Sequence, residues 1–218
     1  MLGIRKLYKL IMRKILFLAF VVNLLSSQLC RNVHAQNAIN EIDSLFSEIQ
    51  KDTLHVYTGM VQTMVPGNPI PFLYIESFKF YKKGISYYCL NKLYIDKEKK
   101  YKAYLLKSDG NTYRPATIYI VVYKSDSSKL IFATEIAIYQ LMSTAFERTQ
   151  NAWISDFDGD GNKDIGIYSQ MIDFEMSTDE SPNTSKSEHF IYLFKNGKYE
   201  MEIWNLDILK NYPLIKGK

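Results

Sequence analysis

The sequence predicts a mainly β fold, an antiparallel β-sandwich or a curved sheet, with one helix near the N-terminus. Short runs of alternating apolar and polar side chains follow one another from residue 53 onward, which is the pattern of half-buried strands. The chain of 218 residues contains 17 Tyr and 12 Phe, and aromatic side chains suit a pleated surface that is buried on one side. Turn-forming sequences separate the runs, so we expect short connections between the strands.

The helix is predicted over residues 36–52, where apolar side chains recur at spacings of three and four residues and so share one helical face. These side chains belong to Ile39, Ile42, Leu45, Phe46 and Ile49. The predicted strands cover 54–65, 72–81, 85–90, 92–95, 101–106, 117–123, 130–138, 189–194 and 199–204, with two more flanking a loop at 156–164. Residues 137–150 fit a strand or a short helix. Residues 173–188 are polar and predict a long exposed loop. Asn196 and Gly197 predict a tight hairpin.

Residues 1–35 have the pattern of a signal peptide. Five basic residues precede an apolar stretch at 15–25, which is too short to span a membrane and typical of exported proteins. Val33 and Ala35 favour cleavage after Ala35. The alternatives are a lipid anchor on Cys30, which Leu29 fits poorly, and an uncleaved anchor. We expect a secreted or periplasmic protein without a transmembrane helix after cleavage, in which residues 36–218 form one β-rich domain.

Net charge limits the classes of binding partner, and cysteine content limits the possible disulfides. Six of the 27 Lys and Arg but none of the 23 Asp and Glu lie in residues 1–35, so residues 36–218 carry a net charge of −2. That balance gives no support to nucleic-acid binding. Cys89 is the one cysteine after the signal, which excludes an internal disulfide in the mature chain, and its strand-like surroundings predict a buried thiol.

The residues between 156 and 164 predict a metal site. Carboxylates stand at positions 1, 3, 5 and 9 of this loop and Gly161 at position 6, where a sharp turn is needed. A hard cation such as Ca²⁺ takes six to eight oxygen ligands. The expected ligands are Asp156, Asp158, Asp160, Asn162 through its backbone carbonyl, and Asp164. The flanking runs are strand-like, so a calcium-binding hairpin is expected over 150–170.

This D-x-D-x-D-G-x-x-D pattern resembles the calcium loops of FG-GAP repeats, the type found in integrin α chains, and of their secreted bacterial versions. It differs from an EF-hand, because Ile167 occupies position 12, where an EF-hand carries a bidentate Glu. The loop occurs once in this chain, so the resemblance covers one hairpin and does not extend to a propeller, which needs several blades.

A second resemblance covers residues 150–204. Their order of calcium hairpin, acidic insertion, aromatic strand, Asn-Gly turn and final strand is similar to small exported bacterial proteins with one such loop in a β-sandwich. Some of those are periplasmic lysozyme inhibitors or immunity proteins. The resemblance implies a protein partner in the cell envelope, with a peptidoglycan hydrolase as the sharpest candidate.

Catalytic motifs are not apparent. The histidines after residue 35 are His55 and His189, both in strand-like runs, and the sequence has no nucleophile elbow, phosphate-binding loop or H-E-x-x-H motif. We therefore predict no catalytic residues and a non-enzymatic, calcium-binding, protein-binding module. The alternatives are a calcium-dependent carbohydrate- or surface-binding module and, after it, a hydrolase with a structural calcium.

Overall fold

The computed structural model describes residues 41–57, 67–75, 78, 80–110, 115–143, 146–173 and 184–202. The chain divides into two compact units, Met1–Glu41 and Ile42–Lys218. The predicted signal peptide, including Cys30 and Ala35, lies outside the described residues. Within the described ranges, no helix has both the length and the apolar character that crossing a membrane requires.

The second unit is built almost entirely of strands, as the sequence predicts. Its one described helix, α1, is a single turn at Phe72–Ile75. The strands are β1 (Ser47–Glu48), β2 (Leu54–Val56), β3 (Asn68–Pro69), β4 (Tyr87–Tyr94), β5 (Tyr101–Ser108), β6 (Ala116–Lys124), β7 (Lys129–Ser143), β8 (Phe146–Ser155), β9 (Asp164–Asp173), β10 (Thr184–Lys195) and β11 (Lys198–Glu202).

All eleven strands belong to one sheet, in the order β1-β4-β5-β6-β7-β8-β9-β10-β11, with β2 paired to β8 and β3 paired to β4. The pairing of β1 with β4 is parallel, and every other ladder is antiparallel. The fold is therefore mainly β, but the sheet is mixed, whereas the sequence predicted an antiparallel one.

Strand β7 pairs with a different neighbouring strand at each of its ends. Its first part, 129–139, pairs with β6, and its last part, 138–143, pairs with the start of β8. The end of β8 pairs instead with β2. We call β4, β5, β6 and the first part of β7 the front half, and β2 with β8 to β11 the back half.

The main core joins the two halves. Buried side chains of the front half, such as Leu105 and Ile120, form one cluster with Ile154, Ile165 and Phe194 of the back half. Ring contacts also connect the halves: the centroids of Tyr101 and Phe194 are 4.8 Å apart, and those of Phe132 and Tyr199 are 4.6 Å apart. Burial of this apolar surface is the main force that holds the halves together.

A second cluster covers the other face of the front half. Phe46, Ile70 and Ile75 pack there with the buried rings of Tyr87 and Tyr119. The segments 42–46 and 70–75, with Phe78, Phe80 and Tyr81, therefore serve as a cover for this face of the sheet.

Two predicted elements differ from the structure. The helix expected over 36–52 is present at 41–43, but Ser47 and Glu48 form β1; residues 36–40 lie outside the described part. The strand expected over 72–81 begins with helix α1, which follows Pro71, a residue suited to a helix start. Successive reverse turns follow, in which Phe78 N donates to Ile75 O and Tyr81 N donates to Phe78 O.

In two further segments, the described residues form strands. Residues 137–143 belong to β7 and residues 146–150 to β8, so the helical alternative is wrong for these described residues. The expected loop at 173–188 is shorter, because residues 184–188 belong to β10 and pair with β9; residues 174–183 lie outside the described part. The Asn196–Gly197 hairpin between β10 and β11 is confirmed, with φ of 53° and 78° at its two residues.

Candidate metal centre

The acidic loop connects two neighbouring strands of the back half. Strand β8 ends at Ser155 and β9 begins at Asp164, and these two residues are paired across the ladder. The loop therefore spans residues 156–163, and Asp164 is the first residue of the following strand. This is the strand–loop–strand arrangement that the sequence predicts, with both ends of the loop fixed by β8 and β9.

Three of the predicted ligands come together. One carboxylate oxygen from each of Asp156, Asp158 and Asp164 lies within 4.8 Å of the others, an arrangement that could hold a metal ion. The other two predicted ligands, Asp160 and Asn162, are not part of this group. Asp160 instead accepts hydrogen bonds from Asn162, at 2.7 Å from its backbone N and 2.9 Å from its side-chain Nδ2.

Asp156 sets the curvature of the loop. One of its carboxylate oxygens accepts from Gly159 N at 2.7 Å and the other accepts from Gly161 N at 2.8 Å. Both glycines have positive φ, 81° and 89°, a conformation that costs residues with a Cβ free energy. Glycine at these positions therefore lets the backbone wrap around the first carboxylate.

Asp164 is the buried end of the site, with none of its surface exposed. Its Oδ2 accepts from Phe157 N and its Oδ1 accepts from Phe194 N on β10, each at 2.8 Å. Burial raises the pKa of this carboxyl to about 6, although the two N–H donors oppose the shift. The negative charges of Asp158 and Asp160 add to the increase. A bound cation would favour the ionised carboxylate.

Neighbouring strands hold the base of the loop at several points. Lys163 N donates to Ile95 O at 2.8 Å, and Tyr199 OH donates to Lys163 O at 2.9 Å. The ammonium group of Lys163 donates to the carbonyls of Lys51 and Asp52, at 2.7 and 3.0 Å. These partners were not identified from the sequence, because they lie far from the loop along the chain and carry no motif of their own.

The two histidines pack against aromatic rings. The ring of His55 lies between Trp153 and Tyr57, at centroid distances of 4.1 and 4.9 Å, and that of His189 lies 4.7 Å from Tyr168. Burial lowers the pKa of both imidazoles. The thiol of Cys89 is buried, as expected, and burial raises its pKa to about 12, which disfavours the reactive thiolate.

The fold and the loop define a class: a β-rich protein in which a loop of clustered carboxylates joins two adjacent strands of a mixed sheet. Comparisons of the chain with protein-family models, with curated proteins and with solved structures gave no match. The function must therefore be argued from the residues themselves.

Proposed function

We propose that this chain is an exported calcium-binding protein that acts as a binding module for a protein in the cell envelope, and that its calcium ion is structural. The observation that carries the metal assignment is the convergence of Asp156, Asp158 and Asp164 within 4.8 Å. Three carboxylates so close together repel one another, and a divalent cation among them offsets that repulsion.

The donor set favours calcium over other metals. The group offers carboxylate oxygens and contains no His or Cys, which argues against zinc and copper. Calcium accepts irregular shells of six to eight oxygens, whereas magnesium requires nearly octahedral geometry and retains waters. We propose that Asp160 and the Asn162 carbonyl complete the shell when the ion binds, since both lie in the same short loop.

A structural role follows from the attachments of the loop. Asp164 connects the loop to β10, and Lys163 connects it to the end of β4 and to residues 51–52. An ion that binds only the folded state adds about 1–3 kcal/mol to the free energy of unfolding at ten to a hundred times its Kd. Calcium sites of extracellular modules have Kd values of roughly 10⁻⁴–10⁻³ M, which suits an exported protein.

The protein-binding role rests on the layout of residues 150–204, and inhibition of a peptidoglycan hydrolase is its sharpest form. One observation favours carbohydrate binding as a second candidate. Tyr57 is 52% exposed and stacks on His55, which stacks on Trp153. Rows of aromatic rings with an exposed end offer an apolar face to a sugar ring.

The metal site is tested by calorimetric titration of calcium into the protein, beside a magnesium titration. We expect one calcium per chain, much weaker magnesium binding, and loss of the calcium signal in Asp158→Ala. Asp126→Ala is the matched control, because it removes an exposed carboxylate from a different turn and should leave calcium binding unchanged. Absence of calcium binding in the wild-type protein would overturn the metal assignment.

A second pair of assays distinguishes the protein-binding role from the carbohydrate-binding role. An inhibitor suppresses a lysozyme-type hydrolase when added in slight molar excess. A carbohydrate module instead remains on immobilised polysaccharide and elutes with chelator, and Tyr57→Ala should weaken that retention. A protein that does neither is not a binding module of these two kinds.

A further inference from the structure

The acidic loop is one of four connections that meet at the same end of the sheet. The β4–β5 turn touches it, because Lys163 N bonds to Ile95 O. The β6–β7 turn is joined to the β4–β5 turn, since Ser125 N donates to Lys100 O at 2.7 Å. The β10–β11 turn meets β5, where Gly197 packs against the Tyr101 hydroxyl. We call these four connections, residues 95–101, 124–129, 155–164 and 195–198, the turn face.

The charges of the turn face are divided between its parts. The three turns other than the loop contain seven lysines and three carboxylates, a formal net charge of +4. Their lysines are Lys97, Lys99, Lys100, Lys124, Lys129, Lys195 and Lys198. The loop, with four Asp and Lys163, has a formal net charge of −3. The formal charges of the three basic turns and of the acidic loop thus nearly cancel.

The lysines of the turn face are available to a ligand. Lys97, Lys99 and Lys129 are exposed, and no carboxylate among the described residues lies at ion-pair distance from them. The Nζ of Lys99 lies 4.9 Å from the centroid of the Tyr94 ring, an exposed cation–π contact that contributes little free energy. Lys100, Lys124, Lys195 and Lys198 form ion pairs with Glu98, Asp126, Glu202 and Glu200. Exposed pairs of this kind contribute little free energy, so these lysines can exchange partners.

The acidic loop and the basic turns are close enough to influence each other. The Nζ of Lys97 lies 2.9 Å from the point that a Cβ on Gly161 would occupy, and the charge of Asp158 contributes to raising the pKa of Lys195. Lys97 therefore lies closer to the loop than the Debye length of about 8 Å at physiological salt. Without a metal ion, the loop therefore acts as a local counter-charge to the lysines.

We infer that the turn face binds a repeating anionic polymer, a glycan that bears phosphate, sulfate or carboxylate groups, and that it does so when the loop holds a divalent cation. The inference rests on the metal site proposed above. A divalent ion changes the loop from −3 to −1 and the whole turn face from +1 to +3. Metal binding thus converts a nearly neutral surface into a basic one. We therefore expect the metal-bound surface to attract an anionic ligand.

The exposed side chains of the turn face favour an anionic polymer over a protein or a membrane as the ligand. Of the strongly exposed large apolar side chains among the described residues, Leu130 alone adjoins one of the four turns, and none lies within them. Protein interfaces depend on buried aromatic or apolar anchors, and membrane insertion also needs apolar side chains at the surface. Several exposed lysines on separate turns instead match charges that repeat along a chain, with affinity gained by counterion release.

The test uses fluorescent dextran sulfate, with neutral dextran as the probe control. Calcium is kept in large molar excess over the sulfate groups, so that counterion binding by the polymer does not deplete the metal. We expect the protein to bind dextran sulfate but not dextran in calcium, and to lose at least tenfold in affinity when chelator is added. The double variant Lys99→Gln, Lys129→Gln should weaken polymer binding at least fivefold in calcium, while its calcium affinity should not fall.

The matched control is Lys83→Gln with Lys186→Gln, which removes two exposed lysines outside the turn face and should leave polymer binding unchanged. A protein that binds calcium but not dextran sulfate overturns this inference and leaves the metal site intact. A protein that binds neither overturns both proposals. Equal polymer binding in calcium and chelator, or tighter binding to vesicles of anionic phospholipid than to the polymer, also contradicts the inference.

Discussion

At the scale of single residues, Asp164 joins the loop to the rest of the sheet. It is fully buried, and its two oxygens accept from backbone groups that lie on either side of it in the chain. A buried N–H group that loses its acceptor costs about 1–3 kcal/mol. Asp164 therefore has a role in folding in addition to its proposed role as a metal ligand, unlike the exposed carboxylate of Asp160.

We expect Asp164→Ala to affect both calcium binding and stability. It removes one of the three converging carboxylates and leaves the N–H groups of Phe157 and Phe194 without acceptors. The expected result is loss of calcium binding and a decrease of about 1–3 kcal/mol in the free energy of unfolding in chelator, measured by denaturant titration. Asp160→Ala is the control, with weaker calcium binding but nearly unchanged stability in chelator. Equal stability of the two variants would contradict this role of Asp164.

A second residue-scale prediction concerns Gly197. Its φ is 78°, and a Cβ there would collide with the Tyr101 hydroxyl, so Gly197→Ala combines backbone strain with a steric clash. Gly84 offers a matched comparison, because its φ is 81° but nothing lies within 4 Å of the added Cβ. We expect Gly84→Ala to cost about 1 kcal/mol and Gly197→Ala to cost clearly more. Thermal unfolding of both variants measures the difference.

At the scale of elements, Asp43 fastens the cover of the front half to the sheet. One carboxylate oxygen accepts from Lys102 Nζ at 2.9 Å and Tyr104 OH at 2.8 Å, and the other accepts from Lys92 Nζ at 2.6 Å. Lys92, Lys102 and Tyr104 lie on β4 and β5. Burial alone would raise the pKa of Asp43, but these hydrogen bonds outweigh it and the pKa is lowered.

The lowered pKa predicts how stability depends on pH. An Asp whose folded pKa lies below its unfolded value of about 3.9 stabilises the fold above that value, and the contribution is lost as the pH falls through the folded pKa. We expect Asp43→Asn to cost roughly 1–2 kcal/mol at pH 7 and much less at an acid pH below the folded pKa of Asp43. Denaturant titrations at both pH values measure this. A cost that does not change with pH would show that the carboxylate charge is not responsible.

The elements also show what the sequence can predict. Most strands were located, because each presents one face to a core and so alternates in sequence. The Asn196–Gly197 hairpin followed from turn chemistry alone. The helix predicted over 36–52 ends at residue 43, because apolar residues spaced by three and four also fit a turn that places Phe46 onto the sheet. The spacing indicates which side chains are buried. Both a continuous helix and a turn followed by a strand are consistent with that spacing.

At the scale of the whole molecule, the sheet order could not be read from the sequence. Strand β7 pairs with different strands along its length, and β2 joins β8 across about a hundred residues of chain. Such pairings depend on which surfaces fit together after collapse. The same holds for the candidate site, where the sequence located the carboxylates but not Phe194, Ile95 or Tyr199.

The attachment of the loop to both halves predicts a global effect of calcium. Lys163 bonds to the end of β4, and Asp164 bonds to β10, so metal binding should stabilise the sheet as one unit. We expect calcium to raise the temperature of a single cooperative transition in scanning calorimetry, and Asp158→Ala to abolish the shift. A separate low-temperature transition in chelator would instead indicate that the loop hairpin melts alone.

The bond between Asp164 and Phe194 has a consequence for the order of events in folding. Thirty residues of chain separate the two groups, so the carboxylate that closes the metal site is not in its final position until β10 has docked. An ion can bind tightly only after that step. Calcium would then bind chains whose sheet has already formed, and its binding would mark the completion of folding.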